Sequence, residues 1–168
     1  HHRNLFHIPV IGITGSNGKT IVKEWLYQLL NHQIKICKNP KSYNSQVGVP
    51  LSVIGINENH NLGIFEAGIS TRGEMENLQK IIQPNIGILT NIGSAHDEGF
   101  STISEKIKEK LKLFANVDVL ILNKNKTIEA FISKDIKTFT WSTSNKSADV
   151  FFQKKTFDEY SILNITNE

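Results

Sequence analysis

The 168-residue sequence contains one cysteine, Cys37, four prolines and two arginines. A lone cysteine cannot close an internal disulfide, which excludes a disulfide-stapled secreted module and fits a reducing compartment. Long hydrophobic runs are also missing. The longest strongly apolar, uncharged stretch is 47–57, about half of the ~20 residues that a membrane-spanning helix needs. The apolar run at 8–14 contains Pro9 and lacks a small-residue cleavage tail, so it does not read as a signal peptide. Arginine scarcity bears on partners. The 19 basic residues against 16 acidic ones give a net charge of +3, but 17 of them are lysines dispersed along the chain. Without arginine clusters this balance does not point to nucleic acid. Isoleucine, lysine and asparagine together make up 57 of 168 residues, a bias expected of A+T-rich coding.

The remaining composition suits one domain with an ordinary core. Strand-like and helix-like segments alternate, without internal repeats. Ile8–Thr14, Leu62–Ala67, Ile86–Thr90 and Val117–Leu122 read as buried strands, Gln33–Lys38 and Ile136–Thr140 as weaker ones. Lys19–Asn31, Glu74–Gln83 and Thr102–Phe114 read as helices, and Pro50 suits the first turn of a short helix ending at Ile56. The tail from Ala148 reads as a hairpin at the sheet edge. Such alternation predicts an α/β fold, a mainly parallel sheet with flanking helices and a site at the carboxyl ends of the strands.

The most specific motif is Thr14-Gly15-Ser16-Asn17-Gly18-Lys19-Thr20, set between a strand and an amphipathic helix. Glycines allow a tight turn whose N–H groups cradle a phosphate, the helix amino terminus adds partial positive charge, Lys19 adds a full one, and Thr20 offers a hydroxyl to Mg²⁺. Ile13 stands where the strict Gly-x4-Gly-Lys-Thr pattern has its first glycine, so Gly15 supplies the turn of a tighter, P-loop-like variant. The strand at Leu62–Ala67 ends on an acid, Glu66.

Further motifs follow in order: Asn44-Ser45-Gln46-Val47-Gly48-Val49-Pro50-Leu51, Glu66-Ala67-Gly68, Thr90-Asn91-Ile92-Gly93-Ser94-Ala95-His96, and Lys110. With the phosphate loop they resemble the central ATP-binding domain of the Mur ligases, which form amide bonds in peptidoglycan synthesis. The resemblance covers residues 8 to about 125, with an echo at Ala148-Asp149-Val150. It implies that ATP phosphorylates a substrate carboxylate and that an amine then attacks the acyl phosphate. It further implies two Mg²⁺ sites, with Thr20 and Glu66 at one and His96 at the other, and a carbamylated Lys110 as a carboxylate-like metal ligand. Asn44, which matches the first asparagine of the family's Asn-Asn pair, is expected to bind the cofactor, Asn91 to orient phosphate or metal-bound water, and Asn123 to lie near the adenine. Within the family, the Gly-Val-Pro-Leu segment and the surroundings of Glu66 are most similar to the branch adding D-alanyl-D-alanine to UDP-N-acetylmuramoyl-tripeptide, including a version fused to an alanine racemase.

The resemblance therefore implies that residues 1–168 are the middle part of a bacterial cytoplasmic enzyme, with UDP-sugar and amine handled by flanking domains and little ligation by the chain alone. Three departures from the family pattern stand out. Ile21 replaces a threonine and is expected to face the helix packing side, Lys112 replaces an acid, and Asn125 lacks the carboxylate of an Asn-x-Asp segment. Apart from Lys19 and Lys110, the lysines read as solvated surface. The competing readings are another Mur ligase, folylpolyglutamate synthase, a P-loop NTPase switch or motor, and a nucleotide-binding module without catalysis.

Overall fold

The strands at Val10–Thr14 (β1) and Leu62–Glu66 (β3) are buried at every position, as continuous apolar strands must be when both faces of a parallel sheet are covered. The structure, a computed structural model, describes residues 2–94, 99–156 and 161–167. The other elements are α1 (Lys19–Leu30), β2 (Ile36–Lys38), α2 (Gly48–Val53), α3 (Glu74–Ile82), β4 (Ile86–Leu89), α4 (Ile103–Leu111), β5 (Val119–Asn123), α5 (Lys126–Glu129), β6 (Lys137–Ser142), β7 (Val150–Thr156) and β8 (Ser161–Asn167). A short 3₁₀ turn at His2–Leu5 and the single turn α5 add to the elements legible in the sequence, and the helix expected over Thr102–Phe114 ends as a 3₁₀ turn at Lys112–Phe114.

The eight strands run in the order β2-β3-β1-β4-β5-β6-β7-β8. Every neighbouring pair is parallel except β7 and β8, which form the edge hairpin expected of the tail. The chain leaves β1 for one side of the sheet and later returns to its other side, so β1 lies between β3 and β4. Such a reversal opens a crevice at the carboxyl ends of the central strands. Thr14, Glu66 and Leu89 end the three strands there.

One face of the sheet packs on α2, α3, α4 and the 112–114 turn, through Val53, Leu78, Ile82, Ile107, Leu113 and Phe114. On the other face, Ile11, Ile13, Leu62 and Ile64 meet Val22, Leu26 and Leu30 of α1. The apolar pairs of α1 are split by this arrangement. One member of each pair reaches the sheet, whereas Ile21, Trp25 and Leu29 are 56%, 63% and 74% exposed. Ile21 is thus not on the packing side. Pairs repeating every four residues cover a wider arc than one sheet face can bury.

The lysines also depart from expectation. Lys23, Lys106 and Lys110 are almost fully buried, at 0%, 0% and 1% exposure. All three turn inward from helices whose amino termini flank the crevice. There, strand-end carbonyls and carboxylates supply the acceptors that buried ammonium groups require.

Candidate functional site

The loop between β1 and α1 is shaped by Gly15, whose φ is +149°. A Cβ at this position would lie 1.9 Å from the Thr90 hydroxyl oxygen, so only glycine lets the two loops touch. Gly18 caps α1 in a left-handed conformation and brings no side-chain acceptor. The first-turn N–H groups of α1 therefore have no side-chain cap, the arrangement that receives an anion at a helix amino terminus.

The 90–94 segment straps this loop. The Ser16 N–H donates to the Asn91 carbonyl at 2.9 Å, and the Asn17 N–H donates to Asn91 Oδ1 at 2.9 Å. The Thr90 hydroxyl donates to the Asn17 carbonyl at 2.6 Å, and the Gly93 N–H donates to Ser16 Oγ at 2.8 Å. Asn91 thus touches the phosphate loop itself. The Thr14 hydroxyl is fully buried and donates to the Ala67 carbonyl at 2.8 Å, joining the ends of β1 and β3.

Two ammonium groups converge on one carbonyl of the loop. Lys19 Nζ donates to the Gly15 carbonyl at 2.9 Å and to that of Ser16 at 3.3 Å. Lys110 Nζ, from α4, donates to the same Gly15 carbonyl at 3.2 Å. One helical turn earlier, Lys106 Nζ donates to the Ser94 carbonyl at 2.6 Å. Beside them, the Thr20 hydroxyl donates to Glu66 Oε2 at 2.8 Å, and Glu66 is fully buried. A hydroxyl and a buried carboxylate in contact form a hard-oxygen pair of the kind that suits Mg²⁺. His96 lies outside the described residues.

Two cavities flank the loop. One, of about 330 Å³, is lined by Lys19, Asn44, Ser45, Gly68, Ser70 and Glu74. The Ser70 and Thr71 N–H groups donate to the Glu74 carboxylate at 2.6 and 2.9 Å and hold it below the usual carboxylate range. The other, of about 510 Å³, is lined by Thr90, Asn91, Asn123, Asn125, Ile107 and Trp141 among others. Asn123 is therefore in the same cavity as the strap residue Asn91. Asn125 caps α5, its Oδ1 accepting from the N–H groups of Thr127 and Ile128 at 3.0 and 3.3 Å. An amide oxygen caps a helix as well as a carboxylate does, so the missing acid costs no local structure.

Sequence reasoning missed Lys23, Asn39 and Trp141. Lys23 is at i+4 from Lys19 and i+3 from Thr20, so it shares their helix face, and that spacing was the available signal. Asn39 donates to the Glu66 carbonyl at 2.9 Å and accepts from the Glu66 N–H at 3.0 Å. Trp141 reaches the larger cavity from β6, which is too far in sequence for any local pattern to reveal.

A phosphate loop at the switch point of a parallel sheet, with paired lysines and a strand-end acid, defines a nucleotide-binding α/β domain of the P-loop type. The sequence profile of the Mur ligase middle domain matches residues 13–167, and the chain belongs to this family. It is 38% identical over 128 residues to the UDP-N-acetylmuramoyl-tripeptide–D-alanyl-D-alanine ligase of Borreliella burgdorferi, covering 76% of this chain and 28% of that enzyme. The ligase of the same name from Bacillus subtilis is 34% identical over 104 residues, 62% of this chain and 23% of the relative. The chain thus spans about a quarter of the length of these relatives.

Among solved structures, the MurF ligase of Thermotoga maritima in complex with ADP superposes with a TM-score of 0.85 at 25% identity, over 98% of this chain and 39% of that one. An FPGS–AMPPCP–folate complex shares the fold alone, with a TM-score of 0.63 at 12% identity over 96% and 51% of the two chains. No helix among the described residues is long and apolar enough to cross a membrane.

Proposed function

We propose that this chain is the ATP- and Mg²⁺-binding domain of a ligase that adds D-alanyl-D-alanine to UDP-N-acetylmuramoyl-tripeptide. The carrying observation is Lys19 with the uncapped amino terminus of α1 at the loop, beside the Thr20–Glu66 pair. Negative charge is spread over phosphate oxygens during phosphoryl transfer, so positioned cations and donors are the groups that such a reaction needs. Lys19 donates to its own loop carbonyls. On binding it would turn to the β- and γ-phosphates, while the uncapped N–H groups of α1 receive the phosphate chain.

Thr20 and Glu66 would hold Mg²⁺, which supplies charge neutralisation on the phosphate oxygens. Both are hard oxygen donors in contact, and the burial of Glu66 excludes competing water. Asn91 orients the loop through Asn17, and Asn123, with Trp141 across the same cavity, would receive the adenine. The cavity lined by Lys19, Asn44 and Gly68 would receive the carboxylate to be activated. Lys110 would serve as the carbamylated ligand to the second cation, with His96 as its partner there. Flanking domains would bind the UDP-sugar and the amine, and the chain alone would bind ATP without ligating. The 38% identity to the Borreliella enzyme supports this substrate pair over other Mur ligase substrates and over folylpolyglutamate synthesis. A racemase fused to the same polypeptide and a bacterial cytoplasmic location belong to the same reading.

Calorimetric titration of ATP with Mg²⁺ tests it directly. Saturable binding that Lys19→Ala weakens by about 100-fold supports the site, at about 2.7 kcal/mol for a lost charged phosphate contact. No binding by the unaltered chain, or equal binding by the variant, refutes it.

A further inference from the structure

Glu66 is already engaged on both carboxylate oxygens. Thr20 donates to Oε2, and Lys23 Nζ lies 3.5 Å from Oε1. Lys23 and Glu66 are both fully buried, so the Glu66 carboxylate would be an uncompensated buried charge without Lys23, at a cost well above that of an exposed pair. The neighbouring acid does not take this role. Glu24 lies 3.4 Å from Lys23, but it is partly exposed and has its own cation, Lys38, at 2.9 Å.

Lys23 also reaches beyond the pair. Its ammonium donates to the Asn39 carbonyl at 2.8 Å and to the Lys41 carbonyl. Lys41 holds a left-handed φ of 48°, unfavourable for a residue with a side chain, and the buried ammonium fixes the carbonyl of that turn. The Asn39 side chain grips the Glu66 N–H and carbonyl, and the Thr20 hydroxyl donates to Oε2. Removing the charge of Lys23 leaves these side-chain contacts to hold Glu66.

We infer that Lys23 is the built-in counter-cation of the metal site, a positioning residue that neutralises Glu66 while no metal is bound and thereby sets how strongly the site takes Mg²⁺. The inference rests on Glu66 as a metal ligand, as proposed above. With Lys23 present, an incoming divalent cation meets a carboxylate whose charge is already balanced and a positive charge close by. With Lys23 neutral, the cation meets an uncompensated buried carboxylate. Metal affinity should then rise even as the metal-free fold loses stability. A merely structural lysine would lower stability without raising metal affinity, so the two roles differ in sign.

The test is the thermal unfolding midpoint of the full chain over a series of MgCl₂ concentrations without nucleotide. Lys23→Met removes charge and donors. Lys23→Gln removes the charge but keeps a donor for the two carbonyls, and serves where the methionine variant does not fold. The expected result is a lower midpoint without metal, a larger rise on adding Mg²⁺, and a half-effect concentration about tenfold below that of the unaltered chain. Adding Glu66→Gln to either variant should abolish the metal response and recover part of the lost stability, because the unpaired charge is gone. An unchanged or higher half-effect concentration in the neutral variants overturns the role of Lys23. That outcome is distinct from failure of the nucleotide site, which the Lys19→Ala titration reads on its own.

Discussion

Asn91 Oδ1 accepts a hydrogen bond from the Asn17 backbone N–H at 2.9 Å, and through this contact the end of one central strand shapes the phosphate loop of its neighbour. The Asn91 carbonyl takes the Ser16 N–H as well. Two loop N–H groups are thereby engaged by the strap, and the N–H groups at the start of α1 have no side-chain cap. Asn91→Ala removes the side-chain acceptor and leaves the backbone bond. The expected effect is an ATP affinity about tenfold weaker, near 1.4 kcal/mol, with an unchanged circular dichroism spectrum. Equal affinity in a calorimetric titration would remove Asn91 from the binding machinery.

Asp149 gives the domain a specific acid sensitivity. The Thr140 hydroxyl and N–H both donate to Asp149 Oδ2 at 2.7 Å, and these bonds hold its carboxyl below the usual carboxylate range. A carboxyl lowered in the folded state stabilises the fold above its unfolded pKa, and this contribution is lost as pH falls through the folded value. The unfolded value is about 3.9, so the loss begins below roughly pH 4 to 5. Glu74, lowered by the Ser70 and Thr71 N–H groups, adds in the same direction. The urea midpoint should therefore fall steeply from pH 5 to pH 3. In Asp149→Asn the slope should be shallower and the midpoint at pH 7 lower, and an identical slope in the variant would count against this account.

The strands of a mainly parallel sheet and the phosphate loop were legible because they rest on local regularities. Continuous apolar runs such as Ile11–Thr14 cannot be stable except between two covered faces, and Gly15 to Thr20 form one uninterrupted motif. Burial of individual lysines was not legible. Lys106, Lys108, Lys110 and Lys112 look alike along α4 and the turn that follows it, yet Lys106 and Lys110 are buried while Lys112 pairs with Glu109 at 2.6 Å near the surface. Backbone carbonyls outside the helix, at Gly15 and Ser94, receive the two buried ammonium groups, and no helical spacing shows them. The same holds for Asn39, whose grip on Glu66 spans 27 residues. Polar residues buried against distant backbone leave no periodic trace, and Lys23, Asn39 and Lys110 at the site are of this kind.

Lys110 can be tested by a substitution that separates charge from carbamylation. Lys110→Arg retains a cation within reach of the Gly15 carbonyl, but a guanidinium does not take up CO₂ under conditions where an amine does. If Lys110 acts only as a cation beside the phosphates, turnover in the full-length ligase should survive within a few-fold. If it acts as a carbamate ligand, turnover should fall by roughly 100-fold or more while ATP affinity changes little. The latter is expected. Phosphate release dependent on both substrates, measured beside an ATP titration, distinguishes the two, and ¹³C-labelled bicarbonate should give a carbamate signal that the arginine variant lacks.

Trp141 offers the most direct optical readout of the larger cavity. The chain has two tryptophans, and the other, Trp25, is exposed on α1, where it faces away from the sheet. Trp141 lines the cavity with Asn91, Asn123 and Asn125 and meets the Phe152 ring edge-on at 6.2 Å and 71°. A purine entering this cavity approaches an indole whose orientation is fixed by that edge contact, so stacking requires little reordering. ATP should therefore quench tryptophan emission in the unaltered chain and in Trp25→Phe. Trp141→Phe should lose the signal while retaining most of the affinity, because a phenyl ring still offers a stacking face. Trp141→Ala should bind ATP about tenfold more weakly, in line with the loss of one base–aromatic contact. Emission that responds in Trp141→Phe but not in Trp25→Phe would move the base to α1 and out of this cavity.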